Sequence, residues 1–599
     1  MRTSQVSRVV GCCIALSLGM SSAWAADEIF ADRFEGNPEG PHTQAEAARF
    51  LTQATFGPTL TEIDRLLQLG YNGWLTEQLA RPASLQLPFL DGLLAQTPNE
   101  VGQDKRVDIW FQNVIWGNDQ LRQRVAFALS EILVISDQNG ALEGNPNTMA
   151  HYFDGLATGA FGNYRDLLEN VTLHPSMGHY LSMFRNRKPD ESLNIRPDEN
   201  YAREIMQLFS VGLVRLNTDG TPLDGDPGTP GVQTVPTYTQ DTIRGFAHVF
   251  TGWNYSTCTP PSAPEGDNLN WWDWEYCPPS TIPNQDWRAA AGYRTPLKPW
   301  GEGTAFGDIY HATTASKQLL NYPGVALSGG VLPAGGSARA DMEAALDNVF
   351  NHPNVGPFVG RLLIQRLTTS NPSPDYIERV ATVFNNNGQG VRGDLGAVVR
   401  AILMDPEARS PAQAPAHFGK LREPLLRVTQ LWRAMQATSI DGRVREWTNW
   451  YAAQGIQSSP TVFNFFLPNY QLPGEIATSG LYSPEFQITT DTFLTRLSNE
   501  IAGKIYYAYV GNPWLGEWQP VLIRLERDMG IAHDAAALID RFNLLFMAGQ
   551  MSSGMRTILI DHVNGIDFNQ WTAEEDTRRQ RVQDALWLIL TSPEYVVEK

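Results

Sequence analysis

Apolar residues recur along most of this chain at intervals of three and four, the spacing that gathers one face of an α-helix. Between Asn118 and Ile135 the stripe is Leu121, Val125, Ala128, Leu129 and Ile132, with Arg122, Arg124 and Glu131 off it, which predicts a core helix. Comparable periodicity predicts helices over 340–351, 354–369, 374–386, 391–404, 420–437, 485–508, 534–548 and 574–592. Two-residue alternation, the mark of a half-buried strand, is scarce. Start and stop signals agree with this reading. Thr43 with Glu46 and Thr59 with Glu62 have the spacing of a capping box, and Gly57 and Gly70 supply stops. The expected class is all-α, a compact multi-helix array without the fixed-period self-similarity of a solenoid.

Two stretches interrupt the helices. Residues 217–237 are rich in Gly, Pro, Thr and Asp, and residues 255–310 in Trp, Pro and Gly; both predict long irregular loop insertions within one large helical domain over 42–599. Asn217, Asp219, Asp224 and Asp226 could offer oxygens to calcium, but their spacing fits no EF-hand, and a solvated acidic loop is the simpler reading.

Ahead of that domain, Arg2 and Arg8 flank an apolar run from Val9 to Met20 and the small-residue pattern Ala23-Trp24-Ala25, the layout of a secretory signal over 1–25. Residues 26–41 read as a leader. Export places the mature chain in the periplasm or outside the cell, where thiols oxidise. Of the 4 cysteines, only Cys258 and Cys277 lie beyond the signal. A disulfide between them would close a loop of about 19 residues, worth on the order of 3 kcal/mol. A pair of thiolate metal ligands is the rival reading, with no histidine spacing to support it. No other stretch is apolar for long enough to span a membrane.

Composition narrows the partners. With 599 residues, 42% of them hydrophobic, the chain can bury a large core. Its 64 acidic and 45 basic residues give a net charge of -19, a field that repels phosphate backbones, so nucleic acid is not an expected partner. The sequence has no G-x-S-x-G elbow, P-loop, dinucleotide fingerprint, H-E-x-x-H or C-x-x-C-H motif, so no metal is assigned and the cofactor stays unknown.

The candidate chemistry sits on two segments. In Asp198–Gly212, DENYAREIMQLFSVG, Tyr201, Ile205, Leu208 and Phe209 form the apolar stripe. Asn200, Arg203, Glu204 and Gln207 fall on another face, with Glu199 four residues before Arg203. In Gln240–Trp253, Asp241, Arg244 and His248 share one face, opposite Ile243, Phe246, Val249 and Phe250. If both helices line one cleft, Glu204 would be the general acid or base and Asp241 the second carboxylate. Arg203, Arg244 and Asn200 would then orient substrate, with Glu199 and His248 beside them. Solvated faces, or an ion-pair network between helices, are the alternative. His311 and Lys317 follow the second insertion and could bind or serve structure. Of the 17 Trp, Trp271, Trp272, Trp274, Trp287 and Trp300 concentrate in that insertion. Exposed indoles suit sugar rings or a protein partner; packing onto the helical body is the alternative.

ARFLTQATFGPTLTEI, DENYAREIMQLFSVG, YTQDTIRGFAHVFTGW, HPNVGPFVGRLLIQRLTTSNPSP and LILTSPEYVV together resemble the bacterial family labelled domain of unknown function 1800, from about His42 to the C-terminus. The resemblance puts Glu199, Asn200, Arg203 and Glu204 in the family's central motif. Asp241 and the Thr251-Gly252-Trp253 turn fall in its second motif, and His311 with Lys317 in its third. Gln207 stands where the family commonly has a glutamate, which weakens any mechanism needing a third carboxylate on this helix. It implies an exported helical protein with no established activity, and genes of a sulfatase-like exported family beside it hint at a partner. Two functional expectations follow. One is an exported protein that binds or acts on an extracellular polymer such as polysaccharide through the polar cleft. The other is a non-catalytic periplasmic or surface assembly protein that docks a partner through its Trp-rich insertion.

Overall fold

The computed structural model describes residues 40–258, 274, 276–303, 308–513, 515, 521–568 and 573–599. The signal over 1–25, nearly all of the leader, Trp271 and Trp272 lie outside the described residues. The rest is predominantly helical. Periodic segments become helices close to where their stripes place them: Gln120–Ser130, Ala338–Phe350, Val355–Leu367, Pro374–Asn385, Leu395–Met404, Asp491–Tyr506, Ala535–Met547 and Glu574–Leu590. The segment expected over 420–437 is helical only over Pro424–Ala434, because Lys420–Leu421 pairs instead as a short strand with Val597–Glu598. Pro424, which has no amide hydrogen to leave unpaired, opens the helix.

Some helices carry no readable stripe. Pro146–Gly159 is buried on nearly every face, so its residues show no polar side to contrast. Ser553–Asn564 buries only Leu559 and Val563, too few to set a period. The end signals work locally. Thr43 and Thr59 accept the amides of Glu46 and Glu62 at 3.2 and 3.1 Å, but neither glutamate returns the bond to its own cap. Glu46 takes the His42 amide at 2.7 Å and Glu62 the Trp74 indole at 3.3 Å. Gly70, at φ 68°, breaks Leu60–Ala80 into two helical runs.

The strands among the described residues are two residues long and occur in antiparallel pairs that fasten loops to the helical body. Trp253–Asn254 pairs with Lys298–Pro299 across the base of the Trp-rich insertion, and Lys317–Gln318 pairs with Val331–Leu332. Cys258 and Cys277 form the expected disulfide, with Cα atoms 5.7 Å apart. Trp274 stacks on Tyr310 at 4.4 Å between centroids and meets Trp300 edge-on at 6.1 Å. Trp253, Trp274 and Trp300 are fully buried, so these indoles pack the insertion onto the body and offer no wall to solvent. Trp287 remains exposed. In the first insertion, bridges Val214–Pro236 and Asp224–Thr234 draw the loop into a hairpin-like course. Asp219 and Asp224 accept amides of that loop, from Thr221 at 2.9 Å and Gln233 at 3.0 Å. No helix among the described residues is long and apolar enough to cross a membrane.

Two contacts position the candidate site. Helix Asn200–Gln207 packs against helix Gln240–Val249, and the latter lies directly on strand Lys317–Gln318. That second approach needs glycine: a Cβ at Gly245 would stand 1.9 Å from the Gln318 carbonyl oxygen. Gly503, inside Asp491–Tyr506, has nothing within 4 Å of the same position. Alanine at the two sites is therefore expected to act with opposite sign in chemical denaturation. Gly245→Ala should destabilise by about 2–3 kcal/mol through overpacking, and Gly503→Ala should stabilise by about 0.5–1 kcal/mol through helix propensity.

Candidate functional site

The polar faces of helices Asn200–Gln207 and Gln240–Val249 meet at their N-terminal ends. Glu199 accepts from Arg203 at 3.3 Å, and the Gln240 amide lies 2.9 Å from each Glu199 oxygen. Glu199, Asn200, Arg203, Gln240, Asp241 and Arg244 thus form an exposed or half-exposed polar strip. Asp241 and Arg244 pair at 3.4 Å with side chains 77% and 63% exposed, a geometry that contributes little to stability.

Glu204 is set differently. It is 5% exposed, and its Oε2 is buried without a hydrogen-bond partner. Burial raises its pKa above the ordinary glutamate value, with the Arg203 charge opposing. Tyr180 and Tyr238 both sense the Glu204 charge, and burial pushes the Tyr180 phenol up to about 12. Tyr238 donates to Gln207 Oε1 at 3.2 Å, which gives the glutamine at that position a role as acceptor. The sequence placed Glu204 and Asp241 as a pair; the structure walls in the first and leaves the second in solvent beside Arg244.

The residues of the second and third motifs make a buried junction. His311 Nε2 lies 3.0 Å and Lys317 Nζ 2.5 Å from the same Asp341 oxygen, and all three side chains are buried. His311 Nδ1 faces the Thr251 carbonyl at 3.0 Å. Gly252, at φ 86°, lets the turn pass where a Cβ would come within 2.9 Å of the His311 amide nitrogen. Burial alone would raise the Asp341 pKa, but hydrogen bonds from His311 and Lys317, and their charges, bring it below the ordinary value. His248 lies beside this junction; burial first, then Lys317 and His311, lower its pKa. Trp253 follows in the core with the Arg339 guanidinium 5.9 Å from its ring centre. These motif residues therefore bind Gln240–Val249, the turn, Lys317–Gln318 and Ala338–Phe350 into one wall. Asp341, their common acceptor, was not singled out in the sequence because one acid at the start of a helix also suits the helix dipole.

A second network was not legible in the sequence. Glu131, just after Gln120–Ser130, accepts at Oε1 from Gln454 at 3.2 Å and Asn464 at 3.3 Å. Gln454 also donates to Glu423 at 2.7 Å. Lys420 reaches Glu423 and Glu485, each at 3.2 Å, and the carbonyls of Gln365 and Arg366, each at 3.0 Å. Arg366 Nε stands 3.5 Å from Glu131 Oε2, with no hydrogen bond formed by either atom. Burial and the neighbouring Glu423 push the Glu131 carboxyl up to about 7. In Glu423 burial is outweighed by Lys420, Arg124 and Arg366, so its pKa falls. Glu131 and Arg366 also line a cavity of about 60 Å³, together with Leu208, Phe358, Leu362 and Phe463. Leu208 lies one helical turn beyond Glu204, on the same side of its helix. Tyr180, which senses Glu204, bonds to Ser459 at the start of the loop that walls the cavity. The signature helix and the buried network thus border one recess. Among the described residues, no three His, Cys, Asp or Glu side chains gather as a metal ion would require.

A family model described as "Protein of unknown function (DUF1800)" matches residues 49–597. The chain belongs to the DUF1800 family. The match takes in both polar helices, the His311–Lys317–Asp341 junction and every member of the Glu131 network. No curated protein and no solved structure matches the chain.

Two outcomes test these assignments. Lys317→Met, which leaves Asp341 buried without its cation, is expected to cost about 3–5 kcal/mol of unfolding free energy. The folded pKa of Glu131 lies above the ordinary glutamate value, so the folded state favours the protonated form. Its contribution to stability is therefore full below about 4.5 and declines as pH rises toward about 7. Denaturation curves of Glu131→Gln should lack that decline, so the variant gains on the parent as pH rises from about 5 to 8.

Proposed function

We propose that this DUF1800 protein is exported and binds an extracellular polymer, carbohydrate foremost, along the strip from Glu199 to Arg244, with Glu204 as acid or base. The observation that carries this reading is Glu204 itself. A motif carboxyl with a buried, unpartnered oxygen, whose pKa burial raises above that of a solvated glutamate, holds its proton more readily than a surface acid does. On the outward faces of the same two helices, Asn200, Arg203, Gln240, Asp241 and Arg244 present the planar hydrogen-bonding groups that hydroxyl-rich chains match. Asp241, solvated and paired with Arg244, serves this reading as a substrate-orienting group or as the second carboxylate. The signal-like pattern over 1–25 and the Cys258–Cys277 disulfide support export to an oxidising compartment.

The test is turnover and binding of a glycan panel by the mature chain, read as new reducing ends and as retention on immobilised polymer. Glu204→Gln is expected to lower turnover by about 10²-fold or more while binding persists. Arg203→Ala is expected to weaken retention. Turnover unchanged in Glu204→Gln would remove the assigned acid/base.

A further inference from the structure

A recess that the polymer reading does not use is bordered by Leu208, just beyond helix Asn200–Gln207. Its cavity of about 60 Å³ is walled by Ile132, Leu208, Phe358, Leu362, Val462 and Phe463, with Pro468 beside them. Phe463 and Leu467, 43% and 37% exposed, form its mouth. The polar lining comes from Glu131 and Arg366, both more than nine-tenths buried. Glu131 Oε2 and Arg366 Nε lie 3.5 Å apart and neither makes a hydrogen bond. Buried polar atoms are nearly always paired, so two adjacent orphans in the wall of a cavity call for a ligand that pairs them. The Arg366 guanidinium is held in place over the Phe466 ring, 4.4 Å from its centre, and Nε–H can only donate. Glu131 Oε1 is already occupied by the Gln454 and Asn464 amides, which leaves Oε2 as the free corner.

We propose that this recess binds a short neutral acyl group, the acetyl substituent of a polymer, with its carbonyl oxygen between Arg366 Nε and protonated Glu131 Oε2 and its methyl against the apolar wall. A group of a few heavy atoms suits the volume. The carbonyl oxygen accepts from two donors at once, and the apolar wall favours a methyl in the rest of the volume, where a hydroxyl would be left unpaired. A carboxylate is disfavoured because Glu423, whose pKa Lys420, Arg124 and Arg366 lower, already supplies negative charge to this cluster. The groups facing Glu131 are Arg366 from Val355–Leu367, Lys420 and Glu423 from the segment before Pro424–Ala434, Arg124 from its own helix, and Glu485. Their balance, together with burial, keeps a proton on Glu131 up to about neutral pH. This inference rests on the polymer reading for the source of the acetyl group, and not for the recess itself.

The test uses two probes with the full mature chain. N-methylacetamide, followed by NMR, should show saturation transfer to its acetyl methyl at pH 6. It should bind about tenfold more weakly at pH 8, a step that Glu131→Gln, which keeps a donor, should abolish. Leu467→Trp, a change at the exposed mouth, should remove the methyl signal while thermal unfolding stays that of the parent. N-acetylated chito-oligosaccharides should then bind about tenfold more tightly than cello-oligosaccharides of equal length, which share the backbone and lack the acetyl. An absent methyl signal, or one that Leu467→Trp leaves intact in a folded chain, overturns the inference whatever the oligosaccharides do. Binding of N-methylacetamide alone, with no oligosaccharide bound, keeps the recess and overturns the polymer reading. Equal binding of both oligosaccharides keeps the polymer reading and overturns acetyl recognition.

Discussion

Three carboxylates, a lysine and two arginines meet inside this protein, and the surrounding helices can pack only if those charges neutralise one another. Glu131, Glu423 and Glu485 stand against Lys420, Arg366 and Arg124, all of them buried. Each ion taken from water carries a desolvation cost of several kcal/mol, which only close opposite charges and hydrogen bonds offset. Lys420 shows how this is met: two carboxylates and two backbone carbonyls surround one ammonium. The members come from positions 124 to 485, so their neutralisation ties together helices that are far apart in the chain. Glu131 is the member that burial, and then the Glu423 charge beside it, push up to about 7, against the opposing pull of Arg366 and Lys420.

The family motifs divide by what they do. His311, Lys317 and the Thr251-Gly252-Trp253 turn converge on Asp341 and fix the wall on which helix Gln240–Val249 rests. That is a scaffold task, performed with buried charge. Glu199, Asn200 and Arg203 face outward, while Glu204 on the same helix turns inward with one oxygen unpartnered. A single eight-residue helix therefore carries an exposed polar face, a buried carboxyl and, through Leu208 just beyond it, one wall of the recess.

Helices whose apolar stripe contrasts with a polar face were legible from sequence, as Pro374–Asn385 and Leu395–Met404 show. Helices buried all round or exposed all round were not. The site divided similarly. Glu204 stood out because Asn200, Arg203, Glu204 and Gln207 repeat at helical spacing. Glu131, Glu423 and Glu485 did not, because each is one acid among ordinary surface-looking residues, and periodicity assigns a charged residue off the stripe to solvent. The indoles of the second insertion were ambiguous for a related reason: tryptophan suits both a sugar platform and a core. Burial of Trp274, stacked on Tyr310 and edge-on to Trp300, decided it for that residue.

By itself the sequence determined the helical class, the Cys258–Cys277 pairing and the polar faces of helices Asn200–Gln207 and Gln240–Val249. These follow from local rules: spacing along a helix, glycine and proline punctuation, and the number of cysteines left to pair. Tertiary structure alone decided which charges are buried, that Asp241 faces solvent while Glu204 does not, and that Asp341 and Glu131 anchor networks of their own. Burial and charge pairing depend on residues hundreds of positions apart, and no pattern within one segment records what a distant segment will bring beside it.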